Sequence, residues 1–397
     1  MSLIVTNRIN PNIVNAIDPP IDEANSWLAG RKFTDEKPLL NLAQAVPSYA
    51  PSKELTNFLA GRVQLFETAQ YGPVSGNDNL KDALANHMTG IYGGSIYNDN
   101  ILISAGCNQA FCLASMALAK AGDEIILTTP YYFNHQMWLE MQDIKTVHLD
   151  CDMNNEGLPE IDKARKLISK KTKAIVLVSP NNPTGAIYPV NLLEGFFELC
   201  QEFGIKLILD ETYKDFQMQQ PPHKLFDFPD WGETLIQVYS FSKCFSLTGY
   251  RVGSIIAGKE VIEAVTKIMD TIAICAPRIA QDAALYGLQN LTSWVADKRD
   301  ILARRRELFI KLFKENNIGF ELVSSGAYFA YVRHLYKNKN AYEVAMELLD
   351  KEHILSLPGT FFGPNQDRFL RLAYANITRK EITEVVDRLN MSFRISS

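Results

Sequence analysis

Short apolar runs recur through the middle of the chain, spaced to leave room for a helix between successive runs. Ile101–Ser104, Glu124–Thr128, Thr146–His148, Ala174–Ser179, Lys206–Asp210, Leu235–Ser240 and Val252–Ala257 are too short for buried helices and read as strands. Asn191–Phe203, between two of them, repeats its apolar residues with a helical period. This alternation predicts a mainly parallel sheet with helices on both faces. Ligands of such sheets bind beyond the carboxyl ends of the strands. Gly106, Asn182, Asp210 and Ser240 all stand at or just after such an end.

The pattern changes after Asn290. Thr292–Asn316 is a long amphipathic stretch, and Gly326–Val332 reads as a strand. A helix near Ala341–Glu352 follows, then Ile354–Leu357, a Pro358-Gly359 turn, a run at Arg368–Ala373 and a last helix from Thr378. The fold class expected is α/β: a large domain with a mainly parallel, mixed sheet flanked by helices, plus a smaller α/β domain. Residues 1–45 form an arm and part of the smaller domain, 46–285 the large domain, and 286–397 the rest of the smaller one.

Composition narrows the picture. At 397 residues and 47 % hydrophobic, the chain can bury one large and one smaller core. A net charge of −5 disfavours a nucleic-acid backbone binder. The basic stretch Lys163–Lys173 reads as a solvated helix end and loop, and Arg299–Arg306 as an amphipathic helix. The six cysteines show no metal-ligand spacing, and no metal is expected. Met1-Ser2-Leu3-Ile4-Val5 lacks the long apolar stretch of a signal peptide, and no run reaches membrane-spanning length. A reduced, cytoplasmic setting is expected.

Four segments carry candidate chemistry. Ser240-Phe241-Ser242-Lys243 leads to Arg251, so one lysine is flanked by small hydroxyls and followed by a guanidinium. A lysine that forms an imine with a phosphorylated aldehyde needs such company, because hydroxyls and guanidinium can hold the phosphate. Val178-Ser179-Pro180-Asn181-Asn182-Pro183-Thr184-Gly185 ends an apolar run in a turn that leaves an Asn amide free. Leu209-Asp210-Glu211-Thr212-Tyr213 ends a buried run in a carboxylate that is costly unless it meets a cation. Ser104-Ala105-Gly106-Cys107-Asn108 joins a strand to a helix start and offers N–H groups to an anion. Each segment alone has a plain structural counterpart: a solvated lysine, a strand turn, a loop-capping aspartate, an ordinary strand-to-helix connection.

Together, in this order, they resemble the class I/II aminotransferases, aspartate aminotransferase-like fold type I enzymes that use pyridoxal 5′-phosphate. The likeness runs from about Asn41 to Tyr374. It implies that Lys243 is the Schiff-base lysine and proton carrier, that Asp210 pairs with the pyridinium nitrogen, and that Asn182 and Tyr213 reach the ring's phenolic oxygen. It implies that Ser240, Ser242, Arg251 and the backbone of Gly106, Cys107 and Asn108 hold the phosphate. Pro130-Tyr131-Tyr132-Phe133-Asn134-His135 matches the family's stacking segment, which puts Tyr132 on the ring and His135 behind Asp210. Arg371, in Phe369-Leu370-Arg371-Leu372, matches the arginine that binds the substrate carboxylate, with Asn182 and Ala45 nearby. Tyr71, in Gln70-Tyr71-Gly72-Pro73, matches a tyrosine that reaches the phosphate of a partner subunit, so a homodimer is expected.

Three positions colour the match. Ala45 stands where the family often has Gly, Cys107-Asn108 is an unusual phosphate-binding pair, and Arg278 lies in a loop that lines the side-chain pocket in some relatives. The function implied is amino-group transfer between an amino acid and a 2-oxo acid with ping-pong kinetics. A lyase or synthase on the same scaffold is the nearest alternative. A ligand-sensing module would need an attached DNA-binding segment, and no helix-turn-helix precedes residue 45. A nicotinamide enzyme would need a Gly-x-Gly-x-x-Gly after its first strand, which is absent.

Overall fold

The computed structural model describes residues 9–218, 221–316 and 318–396. Its larger sheet has seven strands: β1 Ile101–Ser104, β2 Glu124–Thr129, β3 Lys145–Asp150, β4 Thr172–Val178, β5 Lys206–Asp210, β6 Leu235–Ser240 and β7 Gly253–Ala257. Their spatial order is β1-β7-β6-β5-β4-β2-β3. Every neighbouring pair is parallel except the two made by β7, which runs against both β1 and β6. The sheet is thus mixed but mainly parallel. Strands β1, β2, β6 and β7 are buried along their whole length, as expected where helices cover both faces, whereas the edge strand β3 is partly exposed. The helix Val190–Phe203 buries Leu193, Phe196, Phe197 and Cys200 on one side, the stripe that its sequence period gives.

A second sheet has four strands: β8 Phe320–Gly326, β9 Phe329–His334, β10 Leu357–Pro358 and β11 Phe369–Leu372, in the order β10-β11-β9-β8. It is antiparallel throughout. The expectation of one strand over Gly326–Val332 is corrected here. The chain reverses between β8 and β9, with Gly326 paired to Phe329 and Ala327 at φ 47°. An apolar run over Ala327–Val332 conceals this turn, because the residues on either side of it, Ser324–Gly326 and Phe329–Val332, are buried and the turn residues are apolar too. Ile354–Leu357 is likewise not one strand: Ile354–Leu355 pairs in parallel with Leu40–Asn41, and Leu357 begins β10. Helix Ala341–Glu352 starts at a reciprocal cap in which Asn340 and Glu343 bond each other's backbone N–H.

The N-terminal segment belongs to this second unit. Its helix Pro20–Ser26 leads to Trp27, which packs edge-on against Tyr342 at 5.2 Å. Ala24, Trp27, Leu40 and Leu42 share a hydrophobic cluster with Val344, Leu348, Leu370 and Val385. The larger sheet and its helices form a separate cluster spanning Leu55 to Leu291.

Candidate active site

A cavity of about 460 Å³ opens at the carboxyl ends of β4, β5 and β6. Twelve of the residues singled out from sequence line it: Ala45, Cys107, Asn108, Tyr132, Asn182, Asp210, Tyr213, Ser240, Ser242, Lys243, Arg251 and Arg371. Gly106 lies directly beneath. Tyr71 does not line it; its side chain is 75 % exposed on the surface.

The Arg251 side joins one short segment, Ser240 to Arg251, to the turn that follows β1. Its guanidinium donates from Nη1 to the Thr248 carbonyl at 3.0 Å and to Ser242 Oγ at 3.4 Å, and from Nη2 to the Ala105 carbonyl at 3.4 Å. Gly106 sits at φ 85°, and a Cβ there would lie 2.4 Å from Arg251 Nη2. Gly253 of β7 lies against the same turn, where a Cβ would come within 2.9 Å of the Cys107 nitrogen. Both glycines therefore keep the start of helix Cys107–Leu118 in contact with the guanidinium, so that helix N–H groups and a fixed positive charge share one wall. Ser240 caps the short helix Phe241–Cys244 by accepting from Ser242 N at 3.2 Å, which orients the turn that carries Lys243.

Lys243 donates from Nζ to the Ala45 carbonyl at 2.5 Å. Burial, reinforced by the positive charges of Arg371 and Arg251, pulls its pKa down to about 7. Asp210 is buried. Burial alone would raise its carboxyl; the facing His135 ring and the Thr212 amide, which donates to Oδ1 at 2.9 Å, outweigh it and leave the carboxyl below its ordinary range. His135 Nε2 stands 3.4 Å from Asp210 Oδ2 but is not aligned for a hydrogen bond. The imidazole stacks on Phe111 at 3.9 Å, which fixes it behind the carboxylate.

Tyr132 donates its hydroxyl to Asn108 Oδ1 at 3.3 Å and accepts from Asn134 at 2.8 Å; burial pushes its pKa up to about 12. Burial holds Tyr213 well above its ordinary range, with its ring edge-on to Phe329 at 5.1 Å.

Arg371 is built from remote parts. It lies on β11, is 2 % exposed, and donates from Nη1 to Asn182 Oδ1 at 2.9 Å and from Nη2 to the Ala43 carbonyl. Its guanidinium lies 5.0 Å from the ring centres of both Phe329 and Phe362. Burial draws its pKa down to about 10, which leaves it charged at neutral pH, and its Nε has no partner.

Several lining residues were not picked out from sequence. Thr212, Thr248 and Asn134 lie inside the recognised segments, so those segments were their signal. Pro19, Pro20, Ile21 and Asp22 reach the cavity from the N-terminal helix, and no sequence feature marks them. Arg278 lies outside; its Nη1 is 3.5 Å from the Tyr71 carbonyl.

A lysine amine, a buried carboxylate and two fixed guanidinium groups face one cavity at the strand ends of an α/β sheet, an arrangement suited to holding small anions beside an amine. The chain belongs to the family described as aminotransferase class I and II, whose model matches residues 37–389. It is similar to an aromatic aminotransferase of Arabidopsis thaliana, with 27 % identity over 360 residues covering 88 % of each chain. An aspartate aminotransferase of Pyrococcus horikoshii is 28 % identical over 323 residues, covering 80 % of this chain and 82 % of that one. Among solved structures, the aspartate aminotransferase of Thermus thermophilus with maleate superposes with a TM-score of 0.88 at 25 % identity, covering 97 % of this chain and all of that one. The protein is an aminotransferase. No helix among the described residues is long and apolar enough to cross a membrane.

Proposed function

We propose that the chain moves an amino group between an L-amino acid and a 2-oxo acid by a ping-pong mechanism, with pyridoxal 5′-phosphate held in the cavity on Lys243. The observation that carries this reading is the convergence of Lys243, Asp210, Arg251 and Arg371 on a single cavity. The residues present fit that cofactor. Gly106 leaves a cradle that a Cβ would fill beside Arg251, and Arg371 Nε and His135 Nε2 are buried polar atoms without a partner.

When bound, pyridoxal 5′-phosphate supplies the electron sink that acidifies the α-hydrogen of an amino acid. Arg251, Ser240, Ser242 and the N–H groups of Cys107 and Asn108 would hold the phosphate. The Asp210 carboxylate would keep a proton on the pyridine nitrogen, since a neighbouring anion favours the charged form. Tyr132 offers a flat face to the ring, and Asn182 and Tyr213 offer donors to its phenolic oxygen. Arg371 presents a planar fork to the substrate carboxylate. With a pKa near 7, the Lys243 amine is substantially neutral at physiological pH, so it can attack as a nucleophile and carry a proton at Nζ.

Borohydride reduction of the loaded enzyme followed by peptide mapping should place the pyridoxyl group on Lys243. A label on another lysine would reject the assignment. Lys243→Ala should retain cofactor through phosphate and ring contacts and lose turnover by roughly 1000-fold or more. Quantifying the keto acid released from an amino donor separates this reading from a lyase or synthase.

We further propose a cytoplasmic homodimer, divided near residues 45 and 285 into the two units expected from sequence, with Tyr71 turned toward the partner's cavity. Gly72 N donates to Cys275 Sγ at 3.4 Å, which ties the Tyr71 loop to the segment carrying Ile272 and Ile274, and Tyr71, Phe66, Ile272 and Ile274 are all exposed. A two-fold contact through this face would cover them. Provided that Tyr71→Ala alone is impaired, mixing it with Lys243→Ala should restore one good site per heterodimer. Failure to complement despite proven subunit exchange would reject the shared site.

A further inference from the structure

We infer that the amino donor carries a neutral apolar or aromatic side chain and not a second carboxylate. The inference rests on the transamination reading above and names its substrate class. Among the described residues that line the cavity, the cations are Lys243, Arg251 and Arg371. Arg251 is fixed against Ser242, Thr248 and the Gly106 turn, where the phosphate is assigned. Lys243 is assigned to the covalent link. Arg371, braced by Asn182 and Ala43, is a single fork that matches one carboxylate. Among the described residues of this chain's lining, no cation is left for another.

The rest of the wall points the same way. Ile21, Val46 and Phe133 supply apolar surface, and Asp22 adds a negative charge at the N-terminal helix. A side-chain carboxylate would enter without a counter-ion and beside a like charge, so its lost hydration would not be repaid. Leucine, methionine or phenylalanine would instead bury apolar surface. The nearby spare cation, Arg278, donates to the Tyr71 carbonyl and does not line this chain's cavity; in the dimer it would travel with the Tyr71 loop toward the partner's cavity, so its removal is one arm of the test.

The test is a single-turnover half-reaction of the cofactor-loaded enzyme with one donor at a time, the keto acid being quantified. Phenylalanine, methionine and leucine should exceed aspartate and glutamate by roughly 100-fold in rate per unit concentration, the scale of an unpaired buried charge. Calorimetry with substrate-like acids gives a readout independent of turnover: 3-phenylpropionate should bind more tightly than succinate. In Asp22→Arg the ratio of aspartate to phenylalanine turnover should rise by up to about fivefold, as expected for one exposed charge reversed. Acidic donors matching the apolar ones, or succinate binding as tightly as 3-phenylpropionate, would overturn the inference and leave transamination standing. Aspartate turnover that Arg278→Ala abolishes would also overturn it, by identifying a partner subunit's arginine as the second cation. If no donor yields a keto acid, the transamination reading itself fails.

Discussion

Asp210 and Glu211 are adjacent carboxylates at the end of β5, and they are put to opposite uses. Successive side chains of an extended strand point to opposite faces of the sheet, so one turns into the cavity and the other away from it. Glu211 is satisfied by protein. Its Oε2 accepts from Tyr92 Oη at 2.9 Å, from His223 Nε2 at 3.1 Å, and from Gln237 Nε2. His223 Nδ1 accepts from Leu225 N at 3.2 Å, which assigns the ring proton to Nε2, and the ring stacks on Tyr92 at 4.4 Å. Four buried side chains from a helix, a strand end, a strand interior and a loop are thereby tied together. Asp210 has one backbone N–H and a histidine that is not aligned to donate. A buried carboxylate left this incomplete is held ready for something the protein does not supply, whereas a complete one stabilises the fold.

The contrast breaks most sharply at Asp210. Asp210→Asn should lower transamination by roughly 1000-fold, the scale of a positioned acid–base group. Its cofactor-free thermal midpoint should fall modestly at neutral pH, because the fold holds the carboxyl below its ordinary range and so favours the charge that Asn removes. Normal α-proton exchange in this variant would end the role assigned to Asp210.

Glu211→Ala should do the reverse. It strands three buried polar side chains, Tyr92, His223 and Gln237, and should lower the unfolding free energy by about 3 kcal/mol in denaturant titrations. The fraction that stays folded should keep most of its turnover. A Glu211→Ala protein that is fully stable but inactive would place Glu211 with the chemistry and dissolve the distinction.

The sequence exposed these two sides of the sheet unequally. Glycines, prolines and apolar runs mark where strands end, so the Arg251 wall was legible almost complete: Ser240, Ser242 and Arg251 share one short segment, and Gly106 follows the strand end that pairs beside it, Ser104 with Gly253. The Arg371 wall depends on Ala43, Asn182 and two phenylalanines from separate elements; family likeness alone assigned Arg371 and Asn182 to it, and Ala43, Phe329 and Phe362 were missed. Pro19–Asp22 was invisible because its approach to the cavity follows from Trp27 and Leu40 docking on the second core. The Glu211 network was missed for the same reason: its partners lie at positions 92, 223 and 237, joined only by the fold. The β8–β9 turn escaped because Ala327, not glycine, takes the positive φ.

A last effect concerns Lys243 in the cofactor-free protein. Its folded pKa of about 7 lies below the ordinary 10.5 of an unfolded lysine. Between these values the unfolded chain binds more protons than the folded one, so stability rises with pH across that window. Below about pH 7 both forms are charged, and the cost of holding the ammonium beside Arg371 and Arg251 is present in full. Above the unfolded value both are neutral and the cost is gone. Lys243→Met removes the titrating group while keeping an unbranched apolar stem. Its thermal midpoint should therefore exceed that of the wild type most at pH 6, and the gap should narrow steadily toward pH 10. Parallel midpoint curves over that range would show that Lys243 keeps its ordinary proton affinity. The neutral, nucleophilic amine assigned to the cavity would then have to arise from cofactor binding and not from the fold.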